Sequence, residues 1–141
     1  MLADSFFDTN ILVYAAYPKD DEEEKRVIAA RLLARERYAT STQVLIEFVN
    51  TTMQKRKPGL SADDVRDWLD DLRAAPVIGA DDALVVEGLD IAQRYKIDFF
   101  DGLIVAAAMR AGAKTLYSED LSSGQKYGSI QVINPFISSQ H

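Results

Sequence analysis

Short apolar runs alternate with longer stretches of helical periodicity along the whole chain. Ser5–Phe7, Lys114–Ser118 and Ile130–Ile133 read as strands, and Tyr38–Thr40 and Val77–Ile78 read as shorter ones. Strands separated by helices are typical of a parallel sheet with helices packed on its faces. The pattern therefore predicts a three-layer α/β/α fold with a central parallel sheet of about five short strands.

Capping residues and helix breakers set the expected helix boundaries. The expected helices cover residues 10–17, where the segment is short or irregular, 20–37, 42–57, 61–74, 81–95 and 99–111. The acidic run at 20–24 suits the positive end of a helix dipole. In the last helix, Asp98 is the expected cap and Gly112 closes the final turn.

Four acidic side chains stand out because of their positions relative to these elements. Asp8 follows the first strand, and Asp120 follows the strand that ends at Ser118. Asp101 lies in the first turn of the last helix, which is apolar nearly all round and should therefore be buried. Glu47 lies on the helix that follows the second strand. In parallel sheets the carboxyl ends of the strands share one edge, where ligands bind, so these acids are expected to converge.

Each acid also has an ordinary structural interpretation. Asp8 suits a turn or a helix N-cap, and Asp120 suits a loop. Asp101 could complete a capping box with Asp98, three residues before it. Glu47 could lie on a solvated stripe of its helix, which would also contain Gln43, Asn50 and Gln54.

The chemistry open to such a cluster is narrow, because the chain has no cysteine and its one histidine is the terminal His141. Thiolate or imidazole zinc sites and histidine general bases are therefore excluded. Carboxylates packed together repel one another unless a cation neutralises them. Oxygen-only sites favour Mg²⁺ or Mn²⁺, which lowers the pKa of a bound water. The residues expected to form this metal pocket are Asp8, Glu47, Asp101 and Asp120, whereas Glu119 is expected to point away and stay solvated.

Length and charge place further bounds on the chain. Its 141 residues suit one domain spanning 1–141. No run approaches the roughly 18 apolar residues of a membrane span, and Asp4 stands where a signal peptide carries positive charge. We therefore expect a soluble cytoplasmic protein. The net charge of −6 argues weakly against nucleic-acid binding, but basic residues cluster at 55–57 and along the helix at 20–37.

Four segments together resemble a PIN domain, and more closely the VapC-type toxins of bacterial and archaeal toxin–antitoxin pairs. The segments are Asp8-Thr9-Asn10, the stretch 41–47 ending in Glu47, Phe100-Asp101-Gly102-Leu103-Ile104-Val105-Ala106-Ala107-Ala108, and Ser118-Glu119-Asp120. The resemblance covers essentially the whole chain, in order. Asp98 is a departure, because relatives often carry a small hydroxyl residue there.

The resemblance implies a metal-dependent endoribonuclease in which Asp8 and Asp101 bind Mg²⁺ directly, with Mn²⁺ as a possible substitute. Glu47 and Asp120 would complete the pocket directly or through water. Ser118 would support the metal ligands with its hydroxyl, and Asn10 would be a polar neighbour. The implied partners are an RNA substrate, a cognate antitoxin and a second copy of the chain in a homodimer, with no membrane.

The sequence also has to be compared with two functions other than a ribonuclease. A PIN scaffold could bind RNA or a partner without cutting it. Phosphoryl-transfer domains fit poorly, because 133–135 lacks the lysine of a receiver domain and Asn10 replaces the second aspartate of a dehalogenase-type phosphatase.

An antitoxin would need an apolar surface to bind. The candidates are residues 11–14 and the Trp68–Leu72 face, for which core packing is the alternative interpretation.

Overall fold

The computed structural model describes residues 2–17 and 19–137, which form a six-stranded sheet packed against helices. The strands are β1 (Ser5–Phe7), β2 (Tyr38–Ser41), β3 (Val77–Ile78), β4 (Thr115–Tyr117), β5 (Lys126–Tyr127) and β6 (Ile130–Ile133). Their order in the sheet is β3-β2-β1-β4-β6-β5. Every neighbouring pair is parallel except β5 and β6. The predicted α/β/α architecture with a mostly parallel sheet is confirmed.

The helices between these strands follow the predicted order. They are α1 (Thr9–Ala16), α2 (Glu23–Arg35), α3 (Thr42–Asn50), α4 (Ala62–Leu72), α5 (Asp82–Tyr95) and α6 (Phe99–Ala111). Ser41, Ser61 and Asp81 cap α3, α4 and α5 with their side chains. Within the described residues, no helix is long and apolar enough to span a membrane.

The end of the third predicted helix differs from expectation. Instead of continuing as α-helix to residue 57, the chain forms a π-helical turn at Thr51–Lys55. The Thr52 hydroxyl donates to the carbonyl oxygen of Phe48 at 2.8 Å, and the amide of Arg56 donates to the carbonyl of Thr51, five residues back. A hydroxyl that bonds the preceding turn can bend a helix or disturb its hydrogen-bond ladder.

The described residues form a sheet of six strands, one more than the number of about five that was expected. β5 pairs antiparallel with β6 through Tyr127 and Ile130. It has only two residues, too few to show an alternating pattern. Gly128 in the connecting turn has a φ of 61°, which glycine adopts without the steric cost that a Cβ would bring.

Helix α6 is the central element of the core. It contains eight buried residues and packs against α5, β1 and β2, as its all-round apolar sequence predicts. A Cβ atom on Gly102 would lie 2.4 Å from the carbonyl oxygen of Gly88 in α5. This close approach requires glycine and holds the first turn of α6, which carries Asp101, against α5.

Core packing explains one of the two apolar segments considered as an antitoxin surface. Ile11, Leu12 and Val13 of α1 are buried in the core, so their apolar character serves the fold. On α4, Leu72 is buried, and Trp68 and Leu69 are partly buried against the same core.

Candidate active site

Asp8 is the most buried of the four acids, with 5% of its surface exposed. It follows β1 and caps α1, accepting a hydrogen bond from the amide of Thr9 at 2.7 Å. It also accepts one from the Ser118 hydroxyl at 2.8 Å. Burial raises the pKa of Asp8 to about 6, and repulsion from Asp120 and Glu47 adds to the rise. These hydrogen bonds favour the charged form but only partly offset the cost of burying it.

Ser118 joins the ends of two neighbouring strands. It directly follows β4, is fully buried, and donates its hydroxyl proton to Asp8. The same oxygen accepts from the amides of Asp120 at 3.1 Å and Leu121 at 3.2 Å. The loop that carries Asp120 is therefore tied to the Asp8 carboxylate through one buried hydroxyl.

Glu47 faces this strand edge rather than an open solvated face. Its carboxylate accepts from the Thr9 hydroxyl at 2.8 Å and from the side-chain amide of Gln43 at 3.2 Å. Gln43 also donates to the carbonyl oxygen of Phe100 at 3.2 Å, linking α3 to the start of α6. Of the rest of the predicted polar stripe, Asn50 lines the groove beside Glu47.

Asp101 is half-buried in the first turn of α6. The cap of this helix is Asp98, which accepts from the amide of Phe100 at 3.0 Å. Among the described residues the Asp101 carboxylate makes no hydrogen bond. It therefore does not accept from the backbone amide of Asp98, as the residue at this position of a capping box would. Burial raises the pKa of Asp101, and repulsion from Asp98, Asp120 and Glu47 raises it further. Asp98 thus both caps the helix and adds negative charge beside Asp101.

Asp120 is exposed and is held by Asn10. The Asn10 amide nitrogen donates to the Asp120 carboxylate at 3.2 Å, and the Asn10 side-chain oxygen accepts from the amide of Glu119 at 3.1 Å. One asparagine of α1 therefore holds two consecutive residues of the loop after β4. The sequence prediction of Asn10 as a polar neighbour did not specify this double contact.

The prediction that Glu119 stays solvated is wrong. Its side chain is 26% exposed and forms an ion pair with Lys25 at 2.5 Å. It also accepts from the Tyr14 hydroxyl at 2.5 Å, and Lys25 lies 4.7 Å from the centre of the Tyr14 ring. The hydrogen bond with Glu119 raises the pKa of Lys25. The partners come from α1 and α2, so no local pattern in the chain could have revealed them.

Two of the four acids act electrostatically on the other two. Asp120 and Glu47 raise the pKa of both Asp8 and Asp101. In residues 2–17 and 19–137, however, no three acidic or histidine side chains are arranged so that they could together hold one metal ion. The donors are all oxygens and carry excess negative charge, which suits Mg²⁺ or Mn²⁺. Mg²⁺ commonly takes only one or two protein carboxylates and keeps several waters, so this arrangement fits it.

Two neutral residues of the site were not among those predicted from the sequence. Thr9 contacts both Asp8 and Glu47, and Gln43 contacts Glu47 and the start of α6. Gln43 lies four residues before Glu47, which is contact spacing on a helix, so a signal for it was present. For Thr9, only the pairing of β1 with β2 brings α3 within reach.

Comparison with protein families identifies the class of domain to which this fold and its acidic site belong. The PIN domain model matches residues 5–122, a stretch that contains all four acids. The chain belongs to the PIN domain family, as the sequence resemblance indicated. No sequence among curated proteins matches this chain significantly.

Several solved structures share the fold at low sequence identity. A toxin–antitoxin complex from Klebsiella pneumoniae has a TM-score of 0.69 at 18% identity, covering 94% of this chain and 98% of the other. VapC20 of Mycobacterium tuberculosis, a sarcin–ricin loop cleaving toxin, has a TM-score of 0.62 at 20% identity, covering 82% of this chain and 91% of the other. FitAcB from Neisseria gonorrhoeae has a TM-score of 0.61 at 17% identity, covering 94% and 99%.

Proposed function

We propose that this chain is a metal-dependent endoribonuclease and the toxin of a type II, VapBC-like toxin–antitoxin pair. The observation that carries the proposal is the buried Asp8, whose pKa rises to about 6 beside Glu47 and Asp120. A buried carboxylate among other acids is costly to ionise. Its presence at this edge of the sheet is accounted for if a cation binds there and neutralises the charge.

Asp8 and Asp101 would hold Mg²⁺, with Mn²⁺ able to replace it. Such an ion supplies a water of lowered pKa and positive charge to offset the charge that develops on a phosphodiester. Ser118 and the amide of Thr9 keep Asp8 charged and oriented. Glu47, held by Thr9 and Gln43, and Asp120, held by Asn10, would bind the remaining waters or accept a proton from one of them.

The partner assignments follow from the same proposal. RNA would be the substrate, a cognate antitoxin would restrain the enzyme, and the chain would work as a cytoplasmic homodimer with one PIN domain over residues 1–141. Support comes from the structural relatives, since one is a toxin–antitoxin complex and another is described as a sarcin–ricin loop cleaving toxin. Their identities of 18% and 20% carry the fold alone.

The decisive experiment is cleavage of RNA by purified protein with and without divalent metal. Cleavage should appear with Mg²⁺ or Mn²⁺, vanish with chelator, and return when metal is added back. It should also vanish in Asp8→Asn, while Asp90→Asn on the exposed face of α5 keeps wild-type activity. Metal-independent cleavage, or equal activity of the two variants, would rule out the proposed site.

A non-catalytic PIN module that binds RNA or a partner is the second candidate. Its support is that the structural relatives share the fold with this chain at only 18% and 20% identity, which does not carry their activity. This alternative predicts RNA binding without cleavage under every metal tested. The same assay therefore separates the two.

A further inference from the structure

A groove of about 380 Å³ lies beside the acidic site and is lined by residues of opposite charge. Glu47 and Asp120 contribute negative charge, whereas Lys55 and Arg56 contribute positive charge. Apart from Val13 and Tyr14, the lining is polar. The groove thus places the proposed catalytic acids beside two positively charged side chains, Lys55 and Arg56, which have no role in the proposed metal site.

The π-helical turn after α3 sets the position of these cations. With about 3.6 residues per turn, an unbroken helix would put Arg56 roughly half a turn away from Glu47. The chain instead widens at Thr51–Lys55 and becomes extended at Arg56, with φ of −79° and ψ of 142°. Arg56 as a result lines the same groove as Glu47. Such π-helical insertions occur frequently at functional sites.

Arg56 has hydrogen-bonding capacity that the described chain does not use. Its side chain is only 16% exposed, and its nearest carboxylate, Glu22, lies at 3.8 Å. The Nε atom is buried without a partner among the described residues, and no guanidinium nitrogen makes a hydrogen bond there. Glu22 already accepts from the amide of Lys19 at 2.6 Å. Because a largely buried guanidinium without hydrogen bonds is costly, an anionic acceptor would be bound favourably.

The geometry points to Arg56, assisted by Lys55, as a binding site for an RNA backbone phosphate next to the phosphodiester cut at the acidic site. A guanidinium fork matches phosphate oxygens in pairs. A protein partner would need an apolar anchor, which this polar groove scarcely offers. The inference rests on the proposed function, because it takes RNA as the substrate.

The test measures binding of a short, mixed-sequence, fluorescent single-stranded RNA in Mg²⁺ at several salt concentrations. All variants carry Asp8→Asn to prevent cleavage. Arg56→Gln is compared with Arg37→Gln, because Arg37 also pairs loosely with one acid, at 3.7 Å from Asp4. Arg37 immediately precedes β2, so it lies at the opposite edge of the sheet from the acids.

Arg56→Gln should weaken binding by roughly tenfold, the scale of a lost charged hydrogen bond. It should also reduce the slope of log affinity against log salt by about 0.7, as expected for one lost phosphate contact. Arg37→Gln should match the parent. Arg56→Lys should recover part of the affinity, since it keeps the charge but loses the fork. If Arg56→Gln fails to fold, as judged by its melting curve, the RNA affinities of Arg56→Lys and Lys55→Gln are compared with that of the parent instead.

The outcomes separate this inference from the proposed function. RNA binding that depends on Arg56 in a protein whose wild type never cleaves RNA would support the subsite and contradict the nuclease. Metal-dependent cleavage by wild type, with Arg56→Gln and Arg37→Gln binding equally, would overturn the subsite and leave the nuclease standing. If Arg56→Gln weakens binding of poly-glutamate but not of RNA, the occupant is an acidic protein segment and the inference is overturned.

Discussion

Ser118 donates a hydrogen bond to Asp8 at 2.8 Å across 110 residues of sequence. The bond joins the carboxyl ends of β4 and β1, which are adjacent in the sheet. The Ser118 oxygen also accepts from the amide of Asp120. A single buried hydroxyl therefore links two of the acids, and changes at either residue should be felt at the other.

Removal of the Ser118 hydroxyl should weaken metal binding without unfolding the protein. Ser118→Ala takes from Asp8 a bond that lowers its pKa, so the carboxylate becomes harder to ionise. Loss of a group that supports a metal ligand typically costs about tenfold or more in affinity. Calorimetric titration with Mn²⁺ should show this loss, while Ser129→Ala, at an exposed turn, binds like wild type. Equal affinities in the two variants would contradict a supporting role for Ser118.

The metal-free protein should become more stable on mild acidification. The folded pKa of Asp8 is about 6 against an ordinary value of 3.8, so between these values the folded chain binds the proton more strongly than the unfolded chain. Stability therefore rises as pH falls through 6 and is lost as pH rises. From about pH 7 to about pH 5, Asp8 should add about 1 kcal/mol to the free energy of unfolding.

Urea unfolding with chelator at both pH values checks this expectation. Asp8→Asn cannot titrate and should show a smaller gain, with the remainder coming from groups such as Asp101, whose pKa is also raised. An identical pH dependence in wild type and variant would show that Asp8 does not titrate in this window.

Asp101 and Asp98 should behave differently although they lie three residues apart. Asp101→Asn removes repulsion from a carboxylate that makes no hydrogen bond in the described chain. The metal-free variant should therefore be at least as stable as wild type, and it should lose RNA cleavage. Asp98→Ala removes the cap of α6 and should cost about 1 kcal/mol. Asp98→Asn should keep both the cap and the activity.

Thermal melts and cleavage assays on the same samples distinguish these outcomes. A large drop in melting temperature for Asp101→Asn would mean that this residue serves the fold. Loss of cleavage in Asp98→Asn with stability retained would place Asp98 in the active site as well.

Loss of Asn10 should reduce activity through the loop that carries Asp120. Asn10→Ala removes the bonds to the Asp120 carboxylate and the Glu119 amide, and should cost about 1 kcal/mol of stability. We expect kcat to fall roughly tenfold with little change in KM, because a 1 Å misplacement can cost more than that. Tyr14→Phe, which removes the bond that Tyr14 donates to Glu119 and the one that it accepts from Lys25, is the matched control for a general loosening of the loop. A Tyr14→Phe defect equal to that of Asn10→Ala would show that Asp120 is not specifically positioned by Asn10.

Local patterns predicted much of this fold. The Asp98 cap and the all-round apolar character of α6 each depend on neighbours within one helical turn or on composition. β5 and the π-helical turn at Thr51–Lys55 were not predicted. Lys126–Tyr127 lacks the consecutive β-branched residues that marked the equally short Val77–Ile78 as a strand. The π-helical turn depends on a hydroxyl that bonds the preceding turn.

The kind of chemistry proposed for the site rests on the sequence of the chain. Without cysteine and with a single terminal histidine, the acids at strand ends left oxygen-bound divalent metal as the consistent choice. The positions of Asp8 and Asp120 after parallel strands indicated one shared edge, because strand direction determines which ends come together.

Pairings between distant residues depended on tertiary packing. Which acid is buried and which neighbour keeps it charged are set by the sheet order β3-β2-β1-β4-β6-β5. Glu119 shows the limit most clearly, since its partner Lys25 lies 94 residues away. A long-range contact of this kind leaves no periodic trace in sequence, because it forms only when separate elements pack against each other.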